Sequence, residues 1–277
     1  MDFKEKEALD FSYKIRKKIL EMSFNAGAAS AHIGGALSCA DIISVIFSNF
    51  LNFKKGNPLW EKRDRFILSK GHACLAYYTA LNQIGMLEDR DLLSFEKNNS
   101  DLAGHPVRNL KKGIEFSTGS LGMGISIAVG LGIAFKKKKI KNKIFVVVGD
   151  GECNEGSNWE SLMTAAHYQL DNLIIFIDKN NFQQTGTCDD ILRTGNLSKK
   201  FESFNCFSQE IDGHDHFQIY KAISKNLNEP RPNLIVANTT KGKGIDLFEN
   251  KNEWHHSVLS KKIYEEALIN LDKNYGY

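Results

Sequence analysis

The sequence predicts an α/β fold in which a central parallel sheet is covered by helices on both faces. Four short apolar runs have the length of strands, and stretches with helical spacing separate them. The runs are continuous rather than alternating, which is typical of parallel strands that are buried on both faces. They span residues 65–68, 144–148, 173–177 and 234–237. A chain of 277 residues can bury one large core, so we expect a single domain over residues 1–277.

Helical periodicity begins close to the N-terminus. The first predicted helix ends near residues 25–27, and a second begins at Ser38, whose hydroxyl suits an N-cap. A further helix is expected to start at about Asn158, after the second predicted strand. The apolar positions of the first helix are Ala8, Phe11, Ile15, Ile19 and Met22, and those of the second are Ile42, Ile43, Ile46 and Phe47.

Composition and charge exclude several classes of protein. Hydrophobic residues make up 42% of the chain and charged residues 25%, as in an ordinary soluble domain. The net charge of +3 is too small to indicate a nucleic-acid partner, and the basic stretch at 136–139 fits a solvated helix end. The apolar runs are far too short to cross a membrane, and the charged N-terminus lacks the apolar region of a signal peptide.

The cysteines give no sign of a disulfide framework. Five are scattered along the chain without a CxxC pair, a pattern that also fits no zinc site. Free thiols in a chain of this size favour a reducing compartment, so a cytoplasmic protein is expected.

The strongest chemical signal follows the second predicted strand. Gly149, Asp150 and Gly151 come directly after the apolar run, at the carboxyl edge of the sheet, where open α/β sheets bind ligands. The glycines permit a tight turn and a close approach of the backbone to a ligand. The N-terminus of the next helix points to the same place and suits an anion. A carboxylate beside an anion site indicates that a divalent cation joins them.

A second polar group is expected at the end of the neighbouring strand. Asn180 and Asn181 follow the run at 173–177, about thirty residues after Asp150. One carboxylate, one amide oxygen, a loop carbonyl and the oxygens of the anion form a hard shell that suits Mg²⁺, with Ca²⁺ or Mn²⁺ as substitutes. Gly-Asp-Gly alone is more often a simple turn, but the two segments together are much more specific.

These two segments resemble the thiamine-diphosphate-binding motif. In that motif the Asp, the first Asn and the carbonyl two residues beyond it bind the metal. By this resemblance the metal ligands are Asp150, Asn180 and Phe182. The motif is shared by transketolases, decarboxylases and 2-oxo acid dehydrogenases, so it does not distinguish among them.

Four further segments are similar to transketolase motifs, and all occur in the order and approximate spacing of that family. Residues 30–38 resemble S-G-H-P-G-G, 69–73 resemble S-x-G-H-A, 102–106 contain G-H-P, and 117–124 resemble T-G-x-L-G-x-G. The chain is therefore identified as a member of the transketolase family, matching its N-terminal, diphosphate-binding domain from about residue 10 to residue 260.

The resemblance implies a role for each matched residue. His32, His72 and His105 line the cofactor and substrate channel. Glu155 matches a glutamate that reaches the catalytic glutamate of a partner chain across an interface. The residues assigned to the cofactor are His72, Gly119, Ser120, Leu121, Gly151, Glu152 and Asn180.

Departures from the family pattern affect two parts of the predicted site. Ala31 and Ile33 replace the usual Gly and Pro beside the first histidine, so the local backbone is expected to differ. Near the end of the sequence, His255 and His256 both fall where transketolases place another active-site histidine. The sequence leaves the choice between them open, and a surface histidine pair is the alternative.

Length is the larger departure. A single-chain transketolase continues into a pyrimidine-binding domain and a C-terminal domain, whereas this sequence ends at Tyr277. The resemblance therefore implies the N-terminal subunit of a two-component transketolase. It would be active only with a separate C-terminal subunit, and an α2β2 assembly is expected. Such an enzyme transfers a two-carbon ketol unit from a ketose to an aldose, as free sugars or sugar phosphates.

Two alternatives stay open at this point. The α-subunit of a 2-oxo acid dehydrogenase also carries Gly-Asp-Gly and a later Asn, although the G-H-P and S-x-G-H-A segments argue against it. The other alternative is a non-catalytic cofactor-binding subunit, against which the intact Asp150, Asn180 and histidines argue.

Overall fold

One parallel sheet organises the computed structural model, which describes residues 2–226 and 229–276. The strands are β1 (Arg65–Leu68), β2 (Ile144–Gly149), β3 (Leu173–Lys179), β4 (Phe207–Asp212) and β5 (Asn233–Asn238). Their order across the sheet is β1-β2-β3-β5-β4, and every neighbouring pair is parallel. The carboxyl ends of the strands therefore meet at one edge.

Helices connect the strands and cover the sheet. In chain order they are α1 (Glu5–Ala26), α2 (Ile33–Ser38), α3 (Ala40–Val45), α4 (Cys74–Gln83), α5 (Asp89–Leu93), α6 (Met123–Lys137), α7 (Gly156–His167), α8 (Cys188–Ile191), α9 (Leu197–Ser203), α10 (His216–Asn226) and α11 (Lys261–Tyr275). A wide helical turn, Ile46–Phe50, continues α3.

Successive residues of the central strands point to opposite faces, so the sheet separates two cores. Phe145 and Val147 pack on the side covered by α1, α3, α4, α10 and α11. Val146 and Val148 pack on the side covered by α6, α7 and α9. Both faces of the sheet are thus buried, which confirms the predicted α/β class.

The four strands predicted from apolar runs are present, and the structure adds β4. That strand lies at the edge of the sheet beside β5, and its side chains are only partly buried or exposed. An edge strand does not need a continuous apolar run, so periodicity gave no signal for residues 207–212. Its neighbour β5 is buried over all but its last residue, as predicted.

Two helix starts differ from the prediction. Ser38 does not cap a helix: it is the last residue of α2, and α3 begins at Ala40 with Cys39 as its N-cap residue. The Ser38 hydroxyl instead donates to Gly35 O and to the buried Asp178 carboxylate. The helix expected from about Asn158 begins at Gly156. The first helix ends at Ala26, as predicted.

The structure also shows the state of the cysteines, the position of the basic stretch and the apolar content of the helices. The five cysteine thiols are free and buried. The basic stretch at 136–139 is exposed at the end of α6, and Lys136 pairs with Asp171. Among the residues that the structure describes, none of the helices combines the length and the apolar content needed to cross a membrane.

Helix α6 packs closely against the chain that leaves β1. A Cβ atom at Gly124 would lie 2.7 Å from the Ser69 Cα, so only glycine lets the two segments approach. Gly130, almost two turns further along the same helix, faces open space instead. The close contact matters because Ser69 precedes the loop that carries His72.

This pair of glycines gives a matched test of the packing. We expect Gly130→Ala to stabilise the isolated chain by about 1 kcal/mol through helix propensity. Gly124→Ala should destabilise it by about 1–3 kcal/mol, because the propensity gain is outweighed by a clash with backbone that has no room to move. Urea unfolding followed by circular dichroism measures both values. Equal effects of the two substitutions would contradict the described packing of α6.

Candidate functional site

A cleft of about 530 Å³ opens at the carboxyl edge of the sheet. It is formed mainly by the segments that follow β1, β2 and β3, together with the residues before α2 and those around His255. Ser120 and His256, both exposed, do not line it. The predicted site residues that do line it are His32, His72, His105, Gly119, Leu121, Asp150, Gly151, Glu152, Glu155, Asn180, Phe182 and His255.

Asp150 lies at the floor of the cleft and is only 2% exposed. Its carboxylate accepts hydrogen bonds from Gly151 N at 2.8 Å and from Asn181 N at 2.6 Å. Burial, followed by the neighbouring Asp178, raises the pKa of Asp150 to about 6. A cation bound to this carboxylate would offset the free-energy cost of burying its negative charge. The environment of Asp150 therefore fits a metal ligand.

The other two predicted metal ligands follow β3. The Asn180 amide donates to Asp178 at 3.3 Å, and its Oδ1 accepts from Phe182 N at 3.0 Å, which leaves Oδ1 a second lone pair. No hydrogen bond within the described chain uses the Phe182 carbonyl. Among the described residues, no group of three or more His, Cys, Asp or Glu side chains could hold a metal ion. A metal here depends on amide and carbonyl oxygens, as Mg²⁺ sites often do.

A buried ion pair supports the floor of the cleft, and the sequence analysis did not identify it. Lys70 donates to the Asp178 carboxylate, and the two side chains are 1% and 0% exposed. Burial lowers the pKa of Lys70, but Asp178 outweighs this effect and the net pKa is raised. For Asp178, burial raises the pKa and Lys70 reverses the shift, so the pKa is lowered and both groups are charged. Lys70 occupies the variable position of the S-x-G-H-A segment, which is why the motif did not single it out.

Histidine rings surround His32 at the top of the cleft. The His72, His105 and His255 rings each lie 5.5 Å from the His32 ring, measured between centroids. The His256 ring lies 4.3 Å away. Burial lowers the pKa of His32 to about 3, with smaller effects from His256 and His255. Burial, followed by Lys70, also holds the pKa of His72 well below 6.5. Both rings are neutral at neutral pH, so each offers one donor and one acceptor.

The segment before His32 has an unusual backbone conformation at Ser30. Ser30 has φ of 60° and ψ of 177°, a region that is normally occupied by glycine. Ala31, which replaces the family glycine, forms two backbone hydrogen bonds with Ser257. The Ser30 hydroxyl also contacts His256 Nε2 at 2.9 Å. The first histidine segment and the last one are therefore joined.

The structure distinguishes between the two C-terminal histidines. His255 lines the cleft, and its Nδ1 lies 2.9 Å from the buried Lys241 ammonium. His256 is exposed and lies outside the lining, against His32. Lys241 follows β5, so the rule that strands end at one edge of the sheet could have indicated it.

Two glycines allow the loops of the cleft to approach each other. A Cβ atom at Gly71 would lie 2.7 Å from Gly119 N, and one at Gly119, where φ is +136°, would lie 2.9 Å from His105 Cδ2. Glu152, which lines the cleft, joins the loop of Gly119 to β2. Its carboxylate accepts hydrogen bonds from Gly122 N at 2.9 Å and from Gly149 N, at the end of β2, at 3.0 Å. Its carboxylate is thus engaged within the chain.

Comparison with known proteins places these features in a family. The model of the transketolase thiamine-diphosphate-binding domain matches residues 13–277. The chain belongs to the transketolase family. As a transketolase-family chain of the N-terminal type, it is a thiamine-diphosphate-binding subunit rather than a dehydrogenase α-subunit.

Similar subunits match along nearly their whole length. One subunit of the apulose-4-phosphate transketolase of Actinobacillus succinogenes is 41% identical over 257 residues, which cover 93% of each chain. The 6-deoxy-6-sulfo-D-fructose transketolase subunit SqwG of a Clostridium species is 35% identical over 260 residues, 94% of this chain. Human transketolase is 34% identical over 254 residues, covering 91% of this chain and 40% of that protein.

Solved transketolase structures share the fold. The Campylobacter jejuni enzyme superposes with a TM-score of 0.87 at 30% identity, covering 100% of this chain and 43% of the enzyme. The Leishmania mexicana enzyme gives 0.87 at 27% identity, covering 97% and 41%. This transketolase subunit thus spans less than half the length of these single-chain enzymes.

The lowered histidine pKa values predict how stability depends on pH. The folded-state values of about 3 for His32 and about 4 for His255 lie below the ordinary 6.5, so the unfolded chain binds more protons in this range. The stability contributed by these two histidines should therefore fall as the pH falls from 7 to 4, while the raised pKa of Asp150 acts in the opposite direction. His32→Gln should make this loss of folding stability smaller. The change should be less than about 1.4 kcal/mol per pH unit, which is the limit for one titrating group, because the ring is only half-buried.

Urea unfolding at pH 7 and pH 5 measures this effect. His167→Gln, which changes an exposed histidine on α7, is the matched control and should follow the wild-type pH dependence. If His32→Gln also follows wild type, the ring is charged or solvated in the folded chain and its neutral state is wrong.

Proposed function

We propose that this chain is the diphosphate-binding subunit of a two-component transketolase, and that it acts on a sugar only together with a second chain. The observation that carries the proposal is the meeting of two groups in one cleft. A hard oxygen set from Asp150, Asn180 and Phe182 lies at the floor, and a cluster of histidines around His32 lies above it. Neither group alone would indicate ketol transfer.

The floor residues fit the metal and the cofactor. Asp150, Asn180 and the Phe182 carbonyl would hold Mg²⁺, with Ca²⁺ or Mn²⁺ as substitutes, and the metal would bind the diphosphate of thiamine diphosphate. When bound, the cofactor supplies the reactive thiazolium carbon that accepts a two-carbon fragment. Gly119, Leu121 and Gly151 line the same cleft, with Ser120 exposed beside them, and we assign the cofactor contacts to this group.

The histidines suit the sugar end of the reaction. His32, His72, His105 and His255 line the cleft and present several donors and acceptors to hydroxyl and carbonyl oxygens. His256 lies outside the lining, so we assign it a supporting contact with His32 instead of a contact with the substrate.

The exposed apolar side chains at the mouth of the cleft favour an interface with a second chain. Leu121, Ile191 and Leu192 line the cleft and are 37%, 48% and 57% exposed. Large apolar side chains at a cleft mouth are unfavourable in water and typical of an interface. Glu155 is exposed at the same place, where it can reach a glutamate of a C-terminal, pyrimidine-binding subunit. Relatives of nearly equal length are named as transketolase subunits. An α2β2 assembly follows the two-fold symmetry common in oligomers.

The charges of the cleft restrict what this chain contributes to substrate choice. Two relatives are named for a phosphorylated and a sulfonated sugar. Among described residues that line the cleft, the only Lys or Arg is Lys70, which is paired with Asp178. An anionic end of a sugar would therefore be held by the partner subunit.

Five free buried thiols support a cytoplasmic location.

Reconstitution tests the function. The purified chain with thiamine diphosphate, Mg²⁺, a ketose donor and an aldose acceptor should show no ketol transfer. Addition of the C-terminal subunit from the same organism should produce turnover, measured by chromatography of the sugars over a panel of free and phosphorylated ketoses. Turnover by this chain alone would contradict the two-component assignment. A complex that assembles and binds the cofactor without turnover would instead favour a non-catalytic subunit.

A pair of carboxylate substitutions tests the assignments in the cleft. Asp150→Ala should reduce binding of thiamine diphosphate with Mg²⁺ to the complex by about a hundredfold or more, because the diphosphate and the protein lose their shared cation. Glu155→Gln is the matched control: it should retain affinity, since Glu155 is no metal ligand, while turnover falls substantially.

Titration calorimetry measures affinity, and hydrogen–deuterium exchange at the thiazolium C2 measures activation of the cofactor. Unchanged affinity in Asp150→Ala would show that the metal ligands are wrong. Equal exchange rates in wild type and Glu155→Gln would show that Glu155 has no part in the interface proton link.

A further inference from the structure

Lys241 is a buried lysine whose ammonium group contacts three residues in two chain segments. The residue is only 1% exposed. Nζ lies 2.7 Å from Asn252 Oδ1, 2.9 Å from His255 Nδ1 and 3.4 Å from the Gln183 carbonyl oxygen. An ammonium group has three N–H donors and no acceptor, so these three contacts use its full hydrogen-bonding capacity.

The direction of each of these hydrogen bonds can be deduced. The Gln183 oxygen is a backbone carbonyl, which only accepts. The Asn252 amide is oriented by its Nδ2, which donates to the Gln184 carbonyl at 3.0 Å and so directs Oδ1 to Lys241. Since a charged lysine cannot accept, His255 Nδ1 must be the third acceptor. The ring proton of a neutral His255 is then on Nε2.

We propose that Lys241 is a positioning residue that fixes His255 as a neutral imidazole with its proton on Nε2, so that the ring presents an N–H donor to the cleft. Within residues 2–226 and 229–276, no hydrogen bond uses His255 Nε2, while the ring itself lines the cleft. The Nε2–H group is thus available to an oxygen atom of a ligand. Because Nδ1 accepts a hydrogen bond from Lys241, its lone pair is not available to take a proton from a ligand in the cleft.

The surrounding charges support this assignment. Burial, followed by Lys241 and Lys70, lowers the pKa of His255 to about 4. The imidazole is therefore neutral at neutral pH. The other ring groups near His255 are His72, His32 and His256, and none of them brings a negative charge that would favour protonation of His255.

The consequence for chemistry rests on the proposed function. A neutral histidine with Nε2–H acts as a hydrogen-bond donor that polarises a carbonyl or holds a hydroxyl oxygen, and it does not act as the base that removes a proton. His255 would therefore stabilise an oxygen of the sugar. Lys241 would act through His255, without touching the sugar itself.

The tautomer can be measured on the isolated chain by nitrogen NMR with ¹⁵N-labelled histidine, without cofactor or partner. Spectra of His255→Gln identify the His255 signals. In wild type at pH 6 we expect one tautomer, Nε2–H, with Nδ1 unprotonated and shifted by a hydrogen bond. A ring that is protonated at pH 6, or that carries its proton on Nδ1, would overturn the proposal. This measurement needs no substitution at Lys241, so it decides the tautomer even if Lys241→Met fails to fold.

Lys241→Met removes the ammonium and keeps the length of the side chain. We expect His255 to become a mixture of tautomers, and its protonation midpoint to rise by about one pH unit or more, because a neighbouring positive charge is lost. Lys251→Met is the matched control, since Lys251 is exposed, lies in the same segment and contacts the Leu247 carbonyl. It should leave both quantities unchanged. An unchanged His255 in Lys241→Met would overturn the role of Lys241.

A second comparison uses the reconstituted complex. His255→Gln keeps an N–H donor and should retain turnover within about tenfold of wild type, whereas His255→Leu should lose about a hundredfold or more. Equal losses in the two variants would contradict the donor role. The two experiments separate the possible failures. A complex without any turnover contradicts the proposed function, whereas the NMR result on the isolated chain still tests Lys241 and His255.

Discussion

The Asp178 carboxylate joins the segments that form the floor of the cleft. It accepts hydrogen bonds from Ser38, Lys70, Asn180 and Thr239, which belong to α2 and to the segments that follow β1, β3 and β5. Asp178 lies on β3 between β2 and β5, where it is completely buried. A buried carboxylate is costly unless its partners compensate it fully. The geometry of all four segments is therefore coupled to a single charge.

The pairing of Lys70 with Asp178 affects how charge is distributed among the groups of the cleft. Because Lys70 is neutralised by Asp178, it supports the floor without attracting a second anion into the same position. Its remaining field still opposes protonation of His72 and of His255. Asp150 has the opposite problem, since Asp178 adds a second negative charge nearby and raises its pKa. The neutral rings of His32, His72 and His255 thus lie above a floor in which the Asp150 carboxylate forms no ion pair with the described residues. This is the position where a cation is most favourable.

The elements that could be predicted share one property: their signal is local in the sequence. Continuous apolar runs revealed the four strands whose side chains are mostly buried, and Gly149-Asp150-Gly151 with Asn180 placed the floor of the cleft at the ends of β2 and β3. The edge strand β4 has no such run, because its side chains are only partly buried or exposed, unlike those of β1 at the other edge. Ser38 looked like an N-cap by residue type, but a hydroxyl is equally suited to a buried carboxylate. Residue type alone cannot choose between these partners.

By itself, the sequence determined the fold class, the family and most of the segments that line the cleft. Each of these depends on short patterns whose chemistry is recognisable without knowing what lies nearby. Only the tertiary structure decided that His255 lines the cleft and His256 lies outside it, and that Lys70 and Lys241 support the site. These outcomes depend on contacts between segments far apart in the chain, such as Lys70 with Asp178 and Ala31 with Ser257. The direction of a side chain and the partner of a buried charge are set by packing, which no local pattern encodes.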